Sequence, residues 1–65
     1  MAIGIRDRVR SLLDDKIYRV SGMGADMAAL RLVDAATGMD GEHPVLETLE
    51  RLDIYYKKIA PYGDI

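Results

Sequence analysis

Residues 16–33, KIYRVSGMGADMAALRLV, carry the choice between folds in this 65-residue chain. Read one way, a helix ends near Val20, Gly22 and Gly24 stop it, and a second helix starts at Asp26, whose carboxylate suits the N-cap. Read the other way, Lys16–Val20 is a strand, because Ile, Tyr and Val are good strand formers. Ser21-Gly22-Met23-Gly24 is then a turn and Leu30–Val33 the hairpin partner. The flanks favour helix. Upstream, Ile5, Val9, Leu12, Leu13, Ile17 and Val20 recur at helical spacing. Downstream, MAALRLVDAA is rich in alanine, the strongest helix former, and Gly38 follows where a helix would stop.

The C-terminal stretch 43–60, HPVLETLERLDIYYKKIA, points the same way. Val45, Leu49, Leu52, Tyr56 and Ile59 alternate by four and three, which places them on one stripe of a helix. Pro44 suits a first helical position, and Pro61 with Gly63 supplies a stop, with Tyr62 folding back from the tail. Glu47 stands four residues before Arg51, and Asp53 four before Lys57, as stabilising pairs do on a helix surface. Together these readings predict an all-α three-helix bundle with residues 1–65 as a single small domain. The alternative is an α+β helix–hairpin–helix arrangement.

Composition narrows the chemistry. The chain has no Cys, Trp or Phe, so its core is built from aliphatic residues, Met and four Tyr. Lack of cysteine excludes disulfides, thiolate nucleophiles and Cys-based zinc or iron–sulfur sites, and fits a reducing compartment. Residues 1–10 lack the apolar core of a signal peptide, and no apolar run approaches the ~18 residues of a membrane span, so the expected location is cytoplasmic. Net charge is −2. Residues 1–20 carry five basic and three acidic side chains, residues 21–42 one against four, and the remainder three against four. Basic residues interleaved with acids on a negative chain argue against direct nucleic-acid binding.

The catalytic inventory is thin. His43 is the sole histidine, and no serine stands in a nucleophile-elbow context. An EF-hand frame started at Asp34 places Ala36, Gly38 and Met39 where oxygen ligands and the invariant glycine belong. Gly22-Met23-Gly24 lacks the third glycine and the lysine of a phosphate loop. A non-enzyme without cofactor or metal is therefore expected. On the predicted third helix, Ile54 projects away from the apolar stripe among Glu47, Glu50, Arg51, Lys57 and Lys58, the pattern of an apolar contact with a charged rim. Asp34, Asp40 and Glu42 form a second, acidic candidate surface. The expected function is a non-catalytic protein-binding module, a small inhibitor or accessory factor. The alternatives are a homo-oligomeric assembly subunit and an acidic decoy that mimics nucleic acid, of the kind encoded by viruses or mobile elements.

Overall fold

In the computed structural model, which describes residues 3–59, five antiparallel strands form one curled half-barrel sheet, joined by one short helix among the described residues. The strands are β1 (Arg8–Ser11), β2 (Ile17–Met23), β3 (Met27–Leu32), β4 (Val45–Thr48) and β5 (Tyr56–Lys58), and α1 (Leu49–Tyr55) lies between the last two. Their order is β4-β3-β2-β1-β5: a meander whose final strand returns to pair with β1.

The three-helix bundle is thus overturned, and so is helix–hairpin–helix as a whole fold. Residues 16–33 form a hairpin in which Tyr18 faces Leu32, Arg19 faces Arg31 and Val20 faces Leu30. The register then slips between Val20 and Gly22, and Gly22 faces Ala29. Ser21 is the extra residue of this bulge, and its hydroxyl donates to the Ala29 carbonyl at 3.1 Å. A bulge bends its strand and raises the local twist, which helps the sheet curl.

The first predicted helix is instead β1, a turn and the start of β2. Val9 and Ser11 point inward while Arg8 and Arg10 point outward, a period of two that the chance helical spacing of Ile5, Leu12 and Leu13 concealed. Leu12 and Leu13 sit in the turn with 54% and 57% of their surface exposed. The second predicted helix is β3 and the turn after it. Ala28 and Leu30 alternate inward there, so sheet packing overrides alanine's helix propensity. Asp34 is a turn residue and not part of a helix: its Oδ1 accepts from the Ala36 and Thr37 amides, and Gly38 closes the turn at φ 73°.

Only the middle of the third predicted helix is helical. Pro44 precedes a strand, and Thr48 is the N-cap, its hydroxyl accepting from the Arg51 amide at 3.1 Å. The chain becomes extended again at Tyr56. The predicted stops at Pro61 and Gly63, and Tyr62, lie outside the described residues.

The core sits on the inner face of the curl. Val9, Val20, Leu30 and Leu52 are fully buried, with Ala28, Tyr56 and Ile3 around them. Leu52 is the buried residue of α1, and it closes the open side of the sheet. Ser11 is buried too, and its hydroxyl is occupied by the Leu13 and Asp14 amides at 3.1 and 3.4 Å.

Candidate protein-interaction surface

Among the described residues the sheet has two edge strands, and they differ. In an antiparallel ladder alternate residues direct N–H and C=O to the neighbouring strand, and those between direct them away. β4 faces β3 through Leu30–Val45, Ala29–Leu46, Ala28–Glu47 and Met27–Thr48. The next pair in that register is joined by the Leu49 N–H donating to the Asp26 carbonyl at 3.0 Å. Val45 and Glu47 therefore bond to β3, while the backbone groups of Leu46 and Thr48 point out of the sheet. Val45 and Leu46 are 47% and 66% exposed. Unpaired backbone beside apolar side chains is what makes an edge adhesive. The other edge, β5, is three residues long and carries Lys57 and Lys58, features that blunt pairing.

Behind β4 lies a polar brace. Glu47 Oε1 accepts from Arg51 Nε at 2.8 Å, and Glu47 Oε2 accepts from the Tyr56 hydroxyl at 3.1 Å. The Arg51 guanidinium lies 4.8 Å from the centre of the Tyr55 ring. Burial pushes the Tyr56 phenol above its ordinary pKa, helped by its bond to Glu47. Glu47 thus ties the edge strand to α1 and β5.

The residues grouped around Ile54 are only partly brought together. Ile54 and Glu50 are exposed on α1, with Ile54 56% exposed. Glu47 and Arg51 belong to the brace. Lys57 and Lys58 are on β5, where Lys57 faces Arg10 and Lys58 Nζ lies 3.5 Å from Asp7 Oδ2. A charged rim around Ile54 drawn from one continuous helix is therefore absent, because the helix ends at Tyr55.

Two of the acidic candidates, Asp34 and Asp40, make internal contacts through their carboxylates. Asp34 caps its own turn, and Asp40 Oδ1 lies 3.4 Å from Arg19 Nε. Glu42 contributes its backbone carbonyl, which with that of Gly41 accepts from Arg31 Nη1, both at 2.9 Å. On the outer face Arg8, Arg19 and Arg31 line up across three strands. Two of these arginines hold the β3–β4 loop, and Arg8 lines an open groove of about 650 Å3 together with Ile17, Leu32 and Val33.

His43 is an exposed residue of the β3–β4 loop. Tyr18 donates to Asp14 Oδ2 at 2.7 Å, and that bond, with burial, pushes its phenol up to about 12, away from the range of a working base at neutral pH. No group of three or more His, Asp or Glu side chains among the described residues is placed to hold a metal ion. No helix among them is long and apolar enough to cross a membrane. Comparison with family models, curated proteins and solved structures found no match for this chain.

Sequence reasoning missed the β4 edge. The helical reading of 43–60 places Val45 on an apolar stripe, whereas in a strand Val45 and Leu46 fall on opposite faces. The available signal was Pro44, which is as much at home at the start of an edge strand as at the start of a helix.

Proposed function

We propose that this protein is a non-catalytic binding module that engages a polypeptide partner by strand addition along β4. The observation that carries the reading is the exposed Val45-Leu46 pair on a strand whose Leu46 N–H and C=O face outward. Strand addition draws affinity from main-chain hydrogen bonds and selectivity from alternate side chains. On β4 those side chains are Leu46 on the outer face and Val45 on the inner. The Glu47 brace supports the reading, since a strand held to α1 and β5 presents its edge without having to be ordered first. Residues 1–65 act as one unit in this reading, and the cysteine-free composition suits a cytoplasmic setting.

The test is capture of partners from source lysate with tagged protein, comparing the natural chain with Leu46→Pro. Proline there removes an outward N–H and no bond to β3. The natural chain should enrich a partner that the variant loses; equal capture by both would exclude the β4 edge.

A further inference from the structure

We propose that the occupant of the β4 edge is a second copy of this chain, paired antiparallel about a two-fold axis at Leu46. The inference rests on the strand-addition reading above and names its partner.

The argument is one of donors and acceptors. Leu46 and Thr48 point outward, and by the same alternation so does Pro44, two residues before Leu46. Pro44 has no N–H to offer. Thr48 is the N-cap of α1, and an N-cap carbonyl accepts the first bond of its helix, so Thr48 has an outward N–H but a committed C=O. With Leu46 opposite Leu46 of the second copy, the two residues exchange both their bonds. Thr48 N–H of each copy then donates to the Pro44 carbonyl of the other. The donor missing at Pro44 falls opposite the carbonyl that Thr48 has already spent, so both defects meet at one position and cost one bond per side. No other register does this. Centring on Glu47 sets two carboxylates directly opposite and aims the Leu46 N–H at the committed Thr48 carbonyl. Centring on Val45 leaves Thr48 with no partner strand residue. An isologous interface must be self-complementary, and β4 meets that demand in one register.

Side chains agree with this pairing. Leu46, 66% exposed, meets its own copy on the outer face. On the inner face Val45 lies opposite Glu47, whose carboxylate is already turned to Arg51 and Tyr56. The sheet continues across the axis as ten strands, with the lysine-bearing β5 edges at its two ends.

Sedimentation equilibrium over a wide concentration range, with Leu46→Lys and Leu46→Glu made separately, tests the register itself. The natural chain should dimerise. Each variant should weaken the dimer by about tenfold or more, because like charges then face each other, and mixing the two variants should restore a heterodimer. Amide exchange supplies an independent readout: Leu46 and Thr48 amides should be protected at high concentration only, Val45 and Glu47 at all concentrations. Dimerisation indifferent to both variants, or mixing that restores nothing, would overturn the pairing. So would a chain that stays monomeric with fast Leu46 exchange throughout. Strand addition would survive that last result if Leu46→Pro still abolished capture of another protein, and would fall with it if capture were unaffected.

Discussion

Tyr18 and Tyr56 meet edge to face, 6.0 Å between ring centres and 78° apart in plane, and each hydroxyl donates to a carboxylate. The Tyr18 phenol is pushed from 10.0 to about 12 by its bond to Asp14 and then by burial. A phenol whose folded pKa is raised contributes stability that is fully present below its unfolded value and lost as pH climbs through the folded one. Stability should therefore be level up to about pH 10 and fall between there and about 12. Tyr56 is raised as well, so Tyr18→Phe should shrink this alkaline limb without abolishing it, which urea unfolding at a series of pH values would register. An unchanged limb would mean that the Asp14 bond is not formed. Asp14 is lowered by the same bond, so its contribution is present above the ordinary carboxylate range and fades in acid. Ile54 is a simpler case. At 56% exposure on α1, Ile54→Asp should change stability by no more than about 1 kcal/mol, the cost of an acid near a helix C-terminus. A melting curve showing loss of the fold would place Ile54 in the core.

At the scale of elements, the loop before β4 adds to the β3 ladder and the Glu47 brace in holding that strand in position. Arg31 reaches from β3 to the carbonyls of Gly41 and Glu42, and the Gly41 N–H donates back to Leu32 O at 2.7 Å. A Cβ at Gly41 would stand 3.3 Å from that same oxygen, so the close approach favours glycine. Arg31→Ala removes two charge-assisted bonds at a part-exposed site, for a loss of about 1–3 kcal/mol. Amide exchange should quicken at residues 41–46 and leave β1 unchanged. The sequence made some of this legible and hid the rest for a physical reason. The strand tendency of Lys16–Val20 and a pairing with Leu30–Val33 could be read from residue type, and the β2–β3 hairpin contains that pairing. Val45, Leu49, Leu52 and Tyr56 fit a helical stripe because two turns of helix between two strands sample the same spacing, although only Leu52 and Tyr56 are buried. Alanines at 28 and 29 favour helix in isolation, but Ala28 is buried on the inner face of β3, a strand that α1 contacts. The β4 edge was invisible because edge position is a property of the sheet order, which no local pattern encodes. Of the residues put forward as a site, Glu47 lies on β4 with Arg51 paired to it, Glu50 and Ile54 are exposed on α1, and Lys57 and Lys58 lie on β5.

For the whole molecule the governing quantity is the size of the core. Seven buried apolar residues serve the described chain, and one of them is Ala28. A single core in a chain under about 70 residues rarely supplies more than 3–5 kcal/mol. Replacing a fully buried leucine by alanine costs about 2–5 kcal/mol, which is most or all of that. Leu30 is the most central such residue: it is fully buried, pairs with Val20 on one side and Val45 on the other, and so joins the hairpin to the edge strand. Leu30→Ala should leave the chain mainly unfolded in dilute solution, seen as loss of the strand signal in circular dichroism and of dispersed amide resonances. If dimerisation through β4 stabilises the native state, raising the protein concentration should recover part of that signal by mass action. Leu46→Pro in the same background should abolish the recovery, since it removes the pairing and leaves the β3 ladder whole. A Leu30→Ala chain that melts cooperatively within a few degrees of the natural one would mean that the sheet draws its stability from somewhere other than this core.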